Sequence, residues 1–273
     1  MPSNFEITIS QLSRLIGLPA APVIIDVRTP LEFAADPRLI PCSLRREAAE
    51  ARVWAAELIG RHAIVVCSDG GAGSQGAAAW LRQEKISAET LEGGYSAWSA
   101  AGGLLVEPGR LPLRDDAGST VWVTRARPKI DRIACPWLIR RFIDPNAGFL
   151  FVGASEVMSV AGQFGATPFD VDGVFWSHRG SLCTFDTMLL ESGLHASSAL
   201  QRLARIVRAA DTDQLDLEPQ AAGLLACSLG LSRMFRDDLE QLDAGMLLYD
   251  VLFRWCRDAT AETHDWPSQV KRG

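Results

Sequence analysis

The sequence predicts two joined domains: an α/β domain built on a parallel sheet, followed by a mainly helical α+β domain. Three observations lead to this fold class. Short apolar runs alternate with helical patterns through roughly the first hundred residues, a Gly-, Pro- and Asp-rich segment follows at Ala101–Thr120, and helical patterns dominate after it. We therefore expect domains at residues 1–108 and 121–273, joined by a linker at residues 109–120.

The elements of the first domain follow from local patterns. Pro22–Val27 and His62–Cys67 are short β-branched runs, which are typical of buried parallel strands. Arg46–Gly60 is alanine-rich and ends in glycine, so it predicts a helix with a glycine stop. Ser74–Lys85 predicts a second helix, and Ala88–Gly103 predicts a strand, a glycine turn and a short helix.

The second domain has fewer strand patterns and more helical ones. Val121–Arg125, Phe149–Val152 and Val174–Ser177 are predicted as strands. Cys135–Asp144 is predicted as a helix with a proline in its first turn. Leu217–Leu231 is apolar almost all round, which predicts a central buried helix.

Composition limits the classes of function. The 273 residues are 48% hydrophobic and 22% charged, which is typical of a globular protein. The formal charge of −6 and the pI near 5.3 disfavour nucleic acid and anionic membranes as partners. No secretory signal and no membrane-spanning apolar run are evident, and the six cysteines are scattered without paired spacing. We therefore expect a cytoplasmic protein with reduced thiols, and its oligomeric state stays open.

A lone cysteine, Cys67, ends an apolar run and precedes a glycine-rich segment and a small-residue helix. Backbone N–H groups in such a loop and the helix dipole stabilise a thiolate or an anionic persulfide, which predicts a lowered thiol pKa. The alternative is a small buried hydrophobic residue at a strand end. The predicted active-site loop consists of Ser68, Asp69, Gly70, Gly71, Ala72, Gly73 and Ser74.

Two further motifs accompany this loop. "IIDVRTPLEF" and "LEGGYSAW" flank it in the order seen in rhodaneses, and the sequence resembles that family across Ile7–Val106. The resemblance implies a doubly wound, parallel-sheet rhodanese-like domain in which Cys67 carries sulfur. It also implies a buried or half-buried polar network of Asp26, Arg28 and Glu32 that orders the strand end, with direct catalysis by Asp26 and Arg28 as the alternative.

The loop departs from familiar rhodaneses in one respect. It lacks the basic residue that binds the sulfonate of thiosulfate in that family, and its one charged side chain is the acidic Asp69. An anionic sulfur donor would lose a charge-assisted hydrogen bond worth on the order of 1.5–3 kcal/mol. Thiosulfate is therefore not the donor that this loop predicts.

The start of the second domain is dense in cations. Arginine presents a planar fork that suits carboxylates and tetrahedral oxyanions, so these side chains form a candidate oxyanion site. The alternative is a solvated helix face with ion pairs. The candidate residues are Arg125, Lys129, Arg132 and Arg140.

A candidate metal site lies further along the chain. His178 follows a predicted strand, and an imidazole with two or three carboxylates suits Mn, Fe or Zn. Asp211 and Asp213 end a predicted helix, where negative charge is unfavourable. We therefore expect a cation, either a metal ion or the nearby arginines, to offset their charge. The candidate ligands are His178, Asp186, Asp211 and Asp213.

Three blocks of the second half, "VTRARPKIDRIACPWLIRRFIDP", "SHRG…CTFD" and "RAADTD…AAGLLACSLGLSR", resemble the C-terminal domain of ChrB-type chromate-resistance proteins over about Val121–Asp258. The resemblance implies a role in chromate tolerance with a small anionic substrate, either a persulfide donor or a chromate-like oxyanion. We expect an accessory protein that handles sulfur at Cys67, as a sulfurtransferase or a thiol-dependent chromate reductase, and binds a metal or oxyanion in its second domain. The alternatives are a sulfurtransferase with a partner-binding domain and a chromate-responsive transcriptional regulator.

Overall fold

The first domain is an α/β domain with a five-stranded parallel sheet. The computed structural model describes residues 5–115 and 118–262; the outer limits predicted at residues 1 and 273, and residues 116–117 of the predicted linker, lie outside this range. The strands are β1 (Glu6–Ile7), β2 (Val23–Asp26), β3 (Leu44–Arg45), β4 (His62–Val66) and β5 (Ser87–Leu91). The helices are α1 (Ile9–Leu15), α2 (Pro30–Ala35), α3 (Ala51–Trp54), α4 (Ala72–Gln83) and α5 (Gly94–Ala100). The strand order is β1-β5-β4-β2-β3, and every pair is parallel.

Both faces of this sheet are buried, as the β-branched runs predict. Ile24 and Ile64 point into one apolar cluster, and Ile25 and Val65 point into another on the opposite face. Helices α3 and α4 cover the second of these faces, whereas α1 and α5 cover the first. Continuous burial of both faces therefore explains why β2 and β4 lack polar alternation.

The long helix predicted at Arg46–Gly60 is wrong in one respect. The segment is broken into a 3-10 turn at Ala48–Glu50, the short α3 and a second 3-10 turn at Ala55–Leu58. The Trp54 indole is buried and donates a hydrogen bond to the Glu47 carbonyl at 3.0 Å. Tertiary packing of this ring, rather than alanine propensity, therefore sets the local geometry.

The second domain contains a smaller parallel sheet and most of the helices. Its strands are β6 (Val121–Arg125), β7 (Gly148–Val152) and β8 (Thr167–Pro168), in the order β7-β6-β8. Its helices are α6 (Asp131–Leu138), α7 (Val157–Phe164), α8 (Thr184–Glu191), α9 (Ser198–Asp211), α10 (Ala221–Met234) and α11 (Asp238–Asp258). Helix α6 connects β6 to β7 and α7 connects β7 to β8, so the domain begins as a βαβαβ unit.

Two local predictions for this domain are corrected. The helix predicted from Cys135 begins at Asp131, so Pro136 lies in its interior, and a π-helical turn continues it at Ile139–Ile143. Proline lacks the N–H that an interior helical position uses, which disturbs the regular hydrogen-bond ladder beside that turn. The strand predicted at Val174–Ser177 is instead a loop with one isolated bridge.

Helix α10 is not the central buried helix that its composition predicts. Ala221, Leu224, Ser228 and Ser232 are buried, which places one face of α10 against its neighbours. The other face is exposed and carries small side chains together with Leu229 and Met234. Small alanine side chains count as apolar in the sequence but lose little by exposure, so the pattern overstated how much of α10 is buried.

The two domains share one apolar core. Phe142 and Phe253 of the second domain pack with Leu12 and Ile16 of the first in a single cluster of buried side chains. Backbone hydrogen bonds also cross the boundary, from Cys42 N–H to the Phe142 carbonyl at 3.0 Å among others. Within residues 5–115 and 118–262, no helix is long and apolar enough to cross a lipid bilayer.

Candidate functional site

Cys67 lies directly after β4, at the carboxyl edge of the first sheet. The chain connects β2 to β3 on one side and then crosses to β4 on the other, so this edge is a topological switch point, where open α/β sheets bind ligands. The Sγ atom of Cys67 lies 3.1 Å from Ser74 Oγ and 3.4 Å from Asp69 Oδ1. The predicted loop is therefore assembled around the sulfur, with a hydroxyl and a carboxylate as the side-chain neighbours.

The start of α5 holds the loop from the other side. The Tyr95 N–H donates to the Cys67 carbonyl at 2.8 Å, and the Ser96 N–H donates to the Ser68 carbonyl at 2.9 Å. Gly94 permits this approach because its φ is +62° and a Cβ there would lie 2.4 Å from both the Cys67 carbonyl oxygen and the Gly70 nitrogen. The second glycine of "LEGGYSAW" is thus explained by close backbone packing against the cysteine loop.

Asp26 and Arg28 form a buried ion pair at the end of β2. Arg28 Nε lies 2.9 Å and its Nη2 2.6 Å from Asp26 Oδ2, and the two residues are only 3% and 2% exposed. The guanidinium also stacks on the Tyr95 ring at 3.6 Å and donates to two backbone carbonyls. Neither side chain contacts the Cys67 sulfur, so this geometry favours the structural interpretation over direct catalysis.

Glu32 does not join this network, which corrects the expected triad. Its side chain is exposed and caps α2, with Oε2 accepting from the Thr29 N–H at 2.7 Å. Hydrogen bonds from the Thr29 backbone and hydroxyl hold the pKa of Glu32 below its usual value. The residue therefore serves a capping box rather than the buried pair.

A cluster of titratable side chains lies at the carboxyl edge of the second sheet. Asp131 opens α6 after β6, and Asp170 follows β8 on the neighbouring strand. The chain goes from β6 to β7 on one side and then to β8 on the other, so this edge is also a topological switch point. His178 comes from the loop before α8, and Asp211 is the last residue of α9.

Three carboxylates converge on the His178 imidazole. His178 Nε2 lies 3.1 Å from Asp211 Oδ2, and it lies 3.6 Å from an oxygen of both Asp131 and Asp170. Hydrogen bonding to Asp170, with the nearby negative charges, raises the pKa of His178 to about 9. The imidazole is consequently cationic at neutral pH and offsets part of the carboxylate charge.

Asp131 is the most unusual member of this cluster. It is fully buried, and burial with the charges of Asp211 and Asp170 raises its pKa well above the usual value. One carboxylate oxygen, Oδ2, accepts the Thr184 N–H at the start of α8 at 2.5 Å. The other oxygen, Oδ1, is buried without a hydrogen-bond partner among the described residues. A buried acceptor without a partner is costly unless a ligand satisfies it.

Two of the predicted metal ligands lie apart from the cluster. Both oxygens of Asp186 are 2.8 Å from Arg208, and Oδ2 also accepts the Cys183 N–H, so Asp186 is committed to an ion pair and a helix cap. Asp213 is exposed and lies beyond the end of α9. The structure thus unites His178 with Asp211, and it adds Asp131 and Asp170, which the sequence analysis missed.

The predicted oxyanion residues do not form one site. Arg125 Nη2 and Arg132 Nε lie 3.5 Å and 3.2 Å from Asp170 Oδ2, so both cations border the acidic cluster. Lys129 is exposed and lines a separate shallow cavity beside α10. Arg140 pairs with Asp243 and stacks on Phe149, away from the other three. The sequence clusters these residues only because β6 and α6 are adjacent in the chain.

The fold and the placement of Cys67 define the first half as a rhodanese-like domain, and the family model of the rhodanese-like domain matches residues 8–101. The family model "ChrB, C-terminal domain" matches residues 122–256. Residues 8–101 are therefore a rhodanese-like domain and residues 122–256 are a ChrB C-terminal domain, and both resemblances noted in the sequence are confirmed.

The chain is also similar to individual proteins. Protein ChrB of Cupriavidus metallidurans is 33% identical over 147 residues, which are 53% of this chain and 44% of that protein. The match thus spans less than half of the curated relative. A rhodanese-related protein of Thermoplasma volcanium is 25% identical, with 37% of this chain and 96% of that chain covered and a TM-score of 0.33. A rhodanese-like domain protein of Staphylococcus aureus is 28% identical, with 34% and 89% covered and a TM-score of 0.30.

Proposed function

We propose that this protein is a chromate-resistance accessory protein whose second domain binds a divalent transition metal. The observation that carries the metal proposal is the convergence of His178, Asp131, Asp170 and Asp211, in which a buried oxygen of Asp131 lacks a partner among the described residues. Ligand atoms of Asp131, Asp170 and His178 all lie within 4.8 Å of one another, which is a separation that one ion can bridge. The link to chromate rests on the family of the domain.

The donor set narrows the choice of metal. One imidazole nitrogen and three carboxylates are hard or borderline ligands, which suit Mn or Fe(II) best and Zn next. The buried thiols Cys135 and Cys183 would have to lose protons before binding, and burial raises the pKa of both well above the usual value. The proposed ion therefore takes oxygen and nitrogen donors rather than sulfur.

The charges around the cluster favour a metal cation in place of the proton on His178. In the protein without metal, the imidazolium of His178 and the guanidinium of Arg132 offset the carboxylates. A divalent ion would displace the imidazolium proton and satisfy the free oxygen of Asp131 in one step. Arg125 and Arg132, at the edge of the cluster, would then face a site able to attract a dianion such as chromate.

The test is metal analysis of the protein purified without added metal or chelator, followed by titration with Mn²⁺. We expect about one equivalent per chain in the wild type, and His178→Ala is expected to weaken Mn²⁺ binding by roughly 100-fold or more. His195→Ala is the matched control, since His195 is exposed and lies outside the cluster. Equal metal content and affinity in wild type and His178→Ala would contradict the proposal.

A second candidate activity belongs to the first domain: sulfur transfer through a persulfide on Cys67. In this reaction the thiolate attacks the outer sulfur of a donor persulfide, an S–S bond to Cys67 forms, the donor's S–S bond breaks, and the donor leaves as a thiolate. An acceptor thiolate then takes the outer sulfur and regenerates the Cys67 thiolate. The contact of Sγ with Ser74 Oγ, in the first turn of α4, favours this role.

Asp69 is expected to select against anionic reagents at Cys67. Its carboxylate lies 3.4 Å from the sulfur and 2.8 Å from the Gly71 nitrogen. We expect Asp69→Asn to raise the rate of Cys67 alkylation by iodoacetate about three- to tenfold relative to neutral iodoacetamide, because charge repulsion is removed. Peptide mass spectrometry measures both rates, with the exposed Cys227 as an internal reference.

Asp216→Asn is the matched control for this substitution, since it removes an exposed carboxylate of the second domain. Its ratio of iodoacetate to iodoacetamide rates at Cys67 should equal that of the wild type. An unchanged ratio in Asp69→Asn would show that the carboxylate does not select by charge.

A further inference from the structure

A second cavity lies at the boundary between the two domains. It encloses about 540 Å³ and is lined by both domains and by the segment that joins them. This volume falls within the range of small-molecule sites, and domain boundaries are a common location for such sites. Neither the metal cluster nor the Cys67 sulfur contributes to its lining.

The floor of the cavity is apolar. Ile40 and Leu58 of the first domain and Phe142 and Ile143 of the second line it, and all four are buried. Val106 of the first domain and Leu111 of the joining segment extend the same surface. Apolar surface of this kind favours a ligand with a hydrocarbon or aromatic body.

The rim of the cavity carries an excess of positive charge. Arg46 pairs with Glu57 at 2.7 Å and Arg114 pairs with the buried Asp144 at 3.0 Å, so these charges are balanced. Arg61 also lines the cavity, and among the described residues it has no carboxylate within salt-bridge distance. Arg45 lines the cavity too, but its guanidinium donates to the Arg28 carbonyl at 2.8 Å and stacks on the Phe33 ring. In a chain of formal charge −6, the guanidinium of Arg61, which has no acidic partner among the described residues, favours an anionic ligand at this cavity.

A buried polar atom points to the same conclusion. Ser43 is 5% exposed, lines the cavity, and its hydroxyl oxygen has no hydrogen-bond partner among the described residues. A buried hydroxyl without a partner is unfavourable, and a ligand oxygen in the cavity would supply the missing hydrogen bond.

We propose that this cavity binds a small organic anion, with its apolar body against Phe142 and Ile143 and its charged group between Arg61 and Ser43. A carboxylate and a phosphate monoester share the required chemistry, and the ligand is a molecule that carries one of them on an apolar body. Because the walls come from both domains, the bound ligand stabilises their packed arrangement.

Titration with 8-anilinonaphthalene-1-sulfonate, an aromatic sulfonate, tests this proposal by fluorescence on the full chain. Arg61→Gln should weaken binding about tenfold, and Asn146→Trp, which places a large ring among the lining residues, should abolish it. Arg236→Gln removes the same charge from an exposed position outside the cavity and should leave the affinity unchanged. Equal affinity in the wild type, Arg61→Gln and Asn146→Trp would overturn the proposal.

Competition and thermal unfolding identify the class of ligand. Phenylacetate or phenyl phosphate should displace the fluorophore and raise the melting temperature of the wild type but not of Asn146→Trp. Stronger displacement by phenylacetate would indicate a carboxylate ligand, and stronger displacement by phenyl phosphate would indicate a phosphate ligand. Displacement by inorganic phosphate at the same concentration as phenyl phosphate would contradict the role of the apolar floor. Metal content is measured on the same samples, so failure here is separable from failure of the metal site.

Discussion

Replacing Arg28 with alanine is expected to lower the free energy of unfolding by about 3–5 kcal/mol, because it leaves the buried Asp26 carboxylate without its partner. Arg28 also supplies hydrogen bonds to the carbonyls of Asp36 and Arg38 and stacks on Tyr95. Those carbonyls and that ring lose their contacts in the same step. Chemical denaturation monitored by circular dichroism measures the change.

Arg38→Ala is the matched control for this prediction. Arg38 pairs with Asp36 at 2.6 Å in the same segment, but its side chain is 45% exposed. Exposed ion pairs contribute about 0–1 kcal/mol, so this substitution should have a small effect. A loss below about 1 kcal/mol for Arg28→Ala would contradict the view that the pair is buried and essential to the fold.

Gly94→Ala is expected to destabilise the protein by about 2–6 kcal/mol and to slow alkylation of Cys67. A Cβ at this position would lie 2.4 Å from the Cys67 carbonyl oxygen, and the backbone has a φ of +62°, which side-chain-bearing residues rarely adopt. Steric overlap and left-handed backbone conformation each cost about 1–3 kcal/mol. Thermal unfolding and iodoacetamide kinetics at Cys67 measure the two effects.

Gly76→Ala provides the control. Gly76 lies in α4, nine residues after Cys67, and a Cβ there would meet nothing within 4 Å. Alanine in a helix is favoured over glycine by roughly 0.5–1 kcal/mol, so this variant should be at least as stable as the wild type. Similar stabilities for Gly94→Ala and Gly76→Ala would refute the proposed close packing.

Much of the first domain could be predicted because its signals are local. The runs that form β2 and β4 are β-branched and bounded by turns, and the two motifs flanking Cys67 fix the order of the elements. The same approach failed for Arg46–Gly60, where the burial of Trp54 overrides the helical propensity of alanine. Local patterns report on backbone preference, whereas this segment is shaped by packing against a sheet.

The acidic cluster was only half predictable. His178 and Asp211 were found because they stand out in their local sequence, but Asp131 and Asp170 are brought to them by strand order. Strand β8 has only two residues and includes a proline, so no periodicity reveals it. The strand order β7-β6-β8 is what places Asp131 and Asp170 at the same carboxyl edge of the sheet. That order could not be predicted, because it depends on recognising the two-residue strand β8.

The apolar core that both domains share limits which substitutions each domain can accept. A Cβ atom at Gly17 of the first domain would overlap Phe142 and crowd Phe253 of the second. The two domains are therefore closely packed against each other as well as covalently linked. A substitution at the interface in one domain alone would create a cavity or a steric clash with the other domain. We therefore expect interface residues of the two domains to change together in evolution, because a substitution in one domain restricts which substitutions the other tolerates.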